Sequence, residues 1–165
     1  MRKWLFRGLV LAALIAAGIW GWRIFFPGPE QVIRKRLAEL ARTASFRSGE
    51  SLYAKFSYSQ KLTEFCTTDV VITLEAPGYQ QTLNGREELL QQAAGARAVV
   101  GSLKAEFLDT TVNVLAGQPI AFANLTLKVN LSGEQDFLVQ ELKFTFKKID
   151  GHWLISRVET VKTLR

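Results

Sequence analysis

One cysteine and one histidine in 165 residues remove whole classes of chemistry before any pattern is sought. Cys66 has no partner in the chain, so no internal disulfide forms; between Phe65 and Thr67 it reads as a small core residue, with a reactive thiol as the alternative. His152 alone excludes multi-histidine metal sites, and no carboxylate cluster offers an oxygen-rich site instead, so no metal or cofactor is expected. His152 also directly follows the turn pair Asp150-Gly151, a place for an exposed residue, and no nucleophile-elbow phrase surrounds the serines, so a hydrolase triad is not expected. There are no internal repeats and no low-complexity tract. With four prolines and 48% hydrophobic residues the chain is too apolar for disorder.

Acidic residues are missing from one stretch in particular, residues 1–29. Arg2, Lys3, Arg7 and Arg23 lie there with no acid, so of the formal charge of +6 only +2 belongs to residues 30–165. That is a weak field for a polyanion, and Trp153 beside Phe144 and Phe146 reads as core and not as a stacking platform for bases, so nucleic acid is not an expected partner.

What the first 29 residues do contain is an apolar run from Gly8 to Trp22, behind a basic head and ahead of Pro27-Gly28-Pro29. A helix from Trp4 to Trp22 would be about 27 Å long, close to the thickness of a bilayer core. Trp4 at one end and Trp20 and Trp22 at the other suit the two interfaces, and Arg23 can reach outward to water. Residues 1–29 therefore read as a cytoplasmic head and an uncleaved signal-anchor transmembrane helix, and residues 30–165 as one α+β domain. Cleavage after Ala16-Ala17-Gly18, giving a secreted domain, is the alternative; the apolar run continuing through Ile19, Trp20 and Trp22 argues against it. The basic head favours a cytoplasmic N-terminus. The expected location is the bacterial inner membrane, crossed once, with the C-terminal domain in the periplasm.

In residues 30–165 the periodicity changes from helix to strand. Pro29 opens a helix in which Ile33, Leu37, Leu40, Ala41 and Ala44 recur at helical spacing. A second helix is expected from Glu50 to Phe65, with Leu52, Phe56, Leu62 and Phe65 as its buried side; the alternation of Leu52, Ala54, Phe56 and Tyr58 leaves a strand as the alternative. Val70 to Leu74 reads as a strand closed by Ala76-Pro77-Gly78. Asn84 then caps a third helix, with Glu87 as its box partner, ending at Gly95. From Val99 the chain is β-rich. A switch of parity at Phe107-Leu108 predicts a bulge, Ile120 to Leu131 alternates cleanly, and Phe137 to Val161 forms a hairpin about Asp150-Gly151. The order predicts an α+β fold in which a bent, mostly antiparallel sheet wraps about three helices.

These elements and their local phrases resemble the superfamily of nuclear transport factor 2-like, SnoaL-like and ketosteroid isomerase-like domains. The matching residues are the opening helix Val32 to Ala44, Asp69-Val70-Val71-Ile72 running into Pro77, Asn84-Gly85-Arg86-Glu87-Glu88-Leu89, and Phe144 to Ile155. The resemblance implies a cone whose concave sheet and helices enclose a pocket, often in a dimer made through the sheets. It covers enzymes, binding proteins and scaffolds alike, so it implies no one activity. The family's isomerase chemistry needs a carboxylate base, a tyrosine and a second acid. The matching positions here hold Ala76, no tyrosine before Tyr53, and Leu142, so that chemistry is not expected.

Polar candidates for a ligand pocket are Tyr58, Asp69 and Asn124, with Tyr53, Tyr79 and Glu75 behind them. Asn124 shares strand parity with Ile120 and Phe122, and an inward amide would need a partner that a ligand could supply. Each has an ordinary surface reading beside it. Arg34, Lys35, Arg36, Arg42 and Arg47 form either a solvated helix face or a contact with anionic lipid headgroups. The expected function is a non-enzymatic, membrane-tethered extracytoplasmic module that binds another envelope protein, a second copy of itself, or a small apolar ligand. The alternative is an enzyme of isomerase, hydrolase or dehydratase type acting on an apolar substrate in the cone, with Asp69, Glu75 or Tyr58 as acid or base.

Overall fold

The structure, a computed structural model, describes residues 28–161 other than 77–78 and 132–136. The expected anchor with Trp4, Trp20 and Trp22 and the Pro77-Gly78 turn lie outside the described residues, as does the side chain of Tyr79. Among the described residues no helix is long and apolar enough to cross a membrane.

The described residues form three helices and six strands in the order α1 (Pro29–Ala44), α2 (Leu52–Thr63), β1 (Cys66–Ala76), β2 (Tyr79–Asn84), α3 (Gly85–Val99), β3 (Leu103–Val114), β4 (Ile120–Leu131), β5 (Phe137–Ile149) and β6 (His152–Thr160). The sheet order is β2-β1-β6-β5-β4-β3. Only the β1–β6 pair is parallel. The meander β3 to β6 therefore brings the end of the chain back beside its first strand. This is the α+β architecture that the order of elements predicts.

Helix α1 starts with Pro29 in its first turn, where a missing N–H costs nothing, and buries Ile33, Leu37 and Ala41 four residues apart. It lies along β3, and the two residues past its end blunt that strand's free edge: Phe46 and Leu103 exchange backbone hydrogen bonds, and Ser45 Oγ accepts from the Ala105 amide at 3.0 Å. Ser51 caps α2 by accepting from the Ala54 amide. The buried side of α2 differs from expectation. Leu52 is 86% exposed and Phe56 55%, whereas Ser59 and Thr63 are buried. The packing stripe runs through Ala54, Ser59, Leu62 and Thr63, where small side chains carrying their own hydroxyl-to-carbonyl bonds allow close approach.

Helix α3 begins after Asn84 as expected, but the Asn84 side chain makes no capping bond, and Glu88, not Glu87, accepts from the Asn84 amide, at 2.6 Å. It also runs through Gly95 to Val99, because its last turn carries an inward-facing residue, Arg97. Gly85 is required at its start. With φ at +82°, an added Cβ would sit 3.3 Å from the Thr68 carbonyl oxygen. Next to it, Arg86 Nε donates to the Cys66 carbonyl at 2.9 Å and ties α3 to β1.

Three register shifts bend the sheet around the helices: in β1 between Cys66 and Val71, in β3 between Leu108 and Thr111, and between β5 and β6 at Thr145-Phe146. The second realises the parity switch, with Asp109 at φ +50°. Positive φ at both Asp150 and Gly151 gives the closing hairpin its tight turn.

Candidate functional site: an apolar cavity in the cone

Between the helices and the concave face of the sheet lies a cavity of about 390 Å³. Its walls come from every layer: Leu40 and Ala44 of α1, Leu62 of α2, Leu89, Ala93 and Ala96 of α3, and Phe107, Leu127, Val129, Leu142, Phe144, Ile155 and Val158 of the strands, among others. The space exists because small residues face it. Ala44, Ala93, Ala96 and Ala105 stand where leucines would close the gap. Ala96 is exposed and Ala93, Leu127 and Val129 are half-buried, which marks the rim.

Only Cys66 and Arg97 break the hydrocarbon lining. Burial pushes the Cys66 thiol up to about 11, against the opposing pull of Arg86 and then Arg36, so it stays protonated at neutral pH and offers no thiolate. Arg97 is 1% exposed. Its guanidinium donates to Glu50 at 2.8 Å and to the Thr43 carbonyl, and stands 4.8 Å from the Phe46 ring and 5.3 Å from the Tyr58 ring. Paired and stacked in this way, the charge is tolerable inside.

The residues singled out from the sequence do not meet in this cavity. Tyr58 is partly exposed and stacks on the outer side of Arg97. Asp69 is exposed near the start of β1, where the nearby Thr67 hydroxyl, its own backbone amide and, last, Lys147 hold its carboxyl below the usual value. Asn124 is exposed on the outer face of β4, in register with Thr111 and Lys143. The inward parity of β4 belongs instead to Ala121, Ala123 and Leu125, so the amide needs no ligand as partner. Glu75 accepts from Gln80 at 3.3 Å along the β1–β2 hairpin, and His152 is exposed beside its turn. Among the described residues no group of three metal-ligating side chains occurs.

Arg97 is the residue that sequence reasoning passed over. Its local signal was a single long cationic side chain in the run Ala93-Ala94-Gly95-Ala96-Arg97-Ala98. Its partner lies 47 positions upstream, beyond any short-range pattern.

No protein-family model matches the chain, and no curated protein matches it in sequence. Solved structures do. A nuclear transport factor 2-like protein with a cystatin-like fold from Novosphingobium aromaticivorans superposes with a TM-score of 0.60 at 20% identity, over 79% of each chain. A Caulobacter vibrioides protein with a cystatin-like fold gives 0.62 at 12% identity, over 82% of this chain and 92% of that one. A Parabacteroides distasonis protein provisionally named a ketosteroid isomerase gives 0.55 at 16% identity, over 83% and 89%. At such identities the likeness is one of fold: the described domain has the nuclear transport factor 2-like, cystatin-like α+β fold.

Proposed function

We propose that this chain is a non-catalytic binding module, held at a membrane by its N-terminal segment with its domain outside the cytoplasm, and that it takes a small apolar ligand into the cone. The observation that carries this reading is the lining of the cavity. General acid–base catalysis needs a titratable group within reach of the substrate, and no aspartate, glutamate, tyrosine or histidine lines the cavity among the described residues. What remains is hydrocarbon, a protonated thiol and a paired arginine. Such a wall binds by excluding water and does not move protons.

Size supports binding. Ligand pockets span roughly 300–1,000 Å³, and this one lies near the small end. At about 30 Å³ for each water-sized group it has room for roughly a dozen non-hydrogen atoms. An unfilled apolar hole of this size forgoes stability on the order of several kcal/mol, which a ligand would recover. Leu125 is buried in the core and Leu127 and Val129 line the cavity, which leaves Leu131, at the open groove, as the one residue of this stripe outside both and weighs against the stripe as an interface between copies.

The test is equilibrium binding of hexylbenzene to the full chain in lipid nanodiscs, with uptake by empty nanodiscs subtracted. Saturable binding of one molecule per chain is expected, and Ala93→Phe, which fills the cavity from its rim, abolishes it. Uptake no greater than the blank, or unchanged saturation in a folded Ala93→Phe variant, refutes the reading.

A further inference from the structure

Arg97 forms a partition. Its side chain lines the apolar cavity, while its guanidinium touches Phe46, Glu50 and Tyr58, three residues that also line an open groove between α1 and the edge of β3. The cavity and the groove share Phe46, Leu103 and Ala105 as walls, so only this thin layer separates them. The groove is basic. Arg42 and Arg47 line it, and among the described residues neither forms an ion pair, while Lys104 is neutralised by Glu106 at 2.7 Å. A molecule spanning both compartments would meet hydrocarbon on one side and uncompensated positive charge on the other.

The two halves of the Arg97–Glu50 pair differ in freedom. Arg97 is 1% exposed, sits in the last turn of α3 and is also tied to the Thr43 carbonyl. Glu50 is 19% exposed, faces the groove and belongs to the short turn between α1 and α2. The arginine is fixed and needs an anion, since a buried charge without a counter-ion is costly. The glutamate is the replaceable anion.

Resting on the apolar-cavity reading above, we infer that the ligand is an anionic amphiphile, a monocarboxylate of about ten to twelve carbons, whose tail fills the cavity and whose carboxylate takes the place of Glu50 on Arg97. The exchange conserves charge at the guanidinium. Glu50 turns out to the groove, where Arg42 and Arg47 receive it. Arginine suits this role because its planar fork pairs with a carboxylate through two parallel bonds. A neutral or cationic head would leave Glu50 in place and gain nothing from the groove.

Three probes with one tail and different heads separate the ideas: decanoate, decanol and decyltrimethylammonium, each measured on the full chain in nanodiscs against empty nanodiscs. Decanoate is expected to bind about tenfold tighter than decanol, the equivalent of about 1.4 kcal/mol, and decyltrimethylammonium weakest. Glu50→Gln removes the competing carboxylate, so decanoate affinity rises several-fold and decanol affinity stays level. A merely structural salt bridge gives the opposite, a looser site for every probe. Arg97→Gln lowers decanoate affinity to that of decanol; should that variant fail to fold, Glu50→Gln carries the test. Equal binding of decanoate and decanol, or weaker decanoate binding by Glu50→Gln, overturns the carboxylate assignment while leaving an apolar-ligand cavity. Absence of saturable binding for all three overturns the cavity reading and this one with it.

Discussion

Strands β3 to β6 each contribute to both ends of the cone interior, and the residues they place there belong to the same apolar class. At one end Val112, Ala121, Phe146 and Trp153 meet Ile33 of α1 in a cluster that is buried throughout. At the other, Ala105, Leu127, Leu142 and Val158 border the cavity, with Ala93 and Ala96 of α3 among the residues facing them. The strands do not decide which end is solid. The lid does: α1 offers Ile33 and Leu37 over the first end, whereas over the second the leucines Leu40, Leu62 and Leu89 are interrupted by Ala44, Ala93 and Ala96. Packing density follows from pairs of facing residues, and a void needs no polar residue to mark it.

Deletions of similar chemistry should therefore have unequal costs at the two ends. Phe146 is 1% exposed, and Phe146→Ala is expected to remove about 3–5 kcal/mol of stability. Leu127 is half-buried and already borders open space, so Leu127→Ala should cost less than about 2 kcal/mol, because fewer neighbouring atoms are lost. Urea denaturation of the full chain, followed by near-ultraviolet circular dichroism, measures both. Equal losses would mean that the second end is packed as tightly as the first.

Cys66 tests whether the hollow end is dry. Its thiol is raised from 9.0 to about 11, first of all by burial. In the unfolded chain the thiol ionises near 9.0, whereas in the folded chain it holds its proton to about 11, so folding is favoured by the protonated form. Full stability is present below about pH 9 and falls as the pH rises towards 11. The loss is at most about 2–3 kcal/mol, from about 1.36 kcal/mol per unit. Lysines and tyrosines titrate in the same window, so the quantity to measure is the difference in slope between the wild type and Cys66→Ala. A slope that Cys66→Ala leaves unchanged would mean that water reaches the thiol.

Elements whose own residues carry their burial pattern were legible in the sequence. The alternation of Ile120–Leu131 is strand β4, the four-residue spacing of Ile33, Leu37 and Ala41 is α1, and Asp150-Gly151 is the closing turn. Strand β2 was not legible, because it is a sheet edge and Tyr79-Gln80-Gln81-Thr82-Leu83-Asn84 needs few apolar residues there. The cavity and the Arg97–Glu50 pair were illegible for a different reason. Both depend on what stands opposite after folding, and parity within a strand says nothing about the size of the residue across the gap. Asn124 shows the limit of parity arguments: the phase of β4 was visible, but which phase faces the helices is set by Leu125 together with Ala121 and Ala123, and the small size of the two alanines hid their burial.

Helix α2 sharpens the same contrast from outside the cone. Its apolar residues Leu52 and Phe56 face solvent while Ser59 is fully buried, so hydrophobicity and burial run opposite ways along one helix. Close packing of α2 selects small side chains, and the large ones are left where volume is unconstrained. If so, Leu52→Ser and Phe56→Ser should each change stability by no more than about 0.5 kcal/mol, the ordinary range for exposed positions. The same denaturation measurement decides. A loss of about 2 kcal/mol or more from either variant would mean that this face is covered in the intact chain, and the covering element would then have to lie outside the described residues or in another molecule.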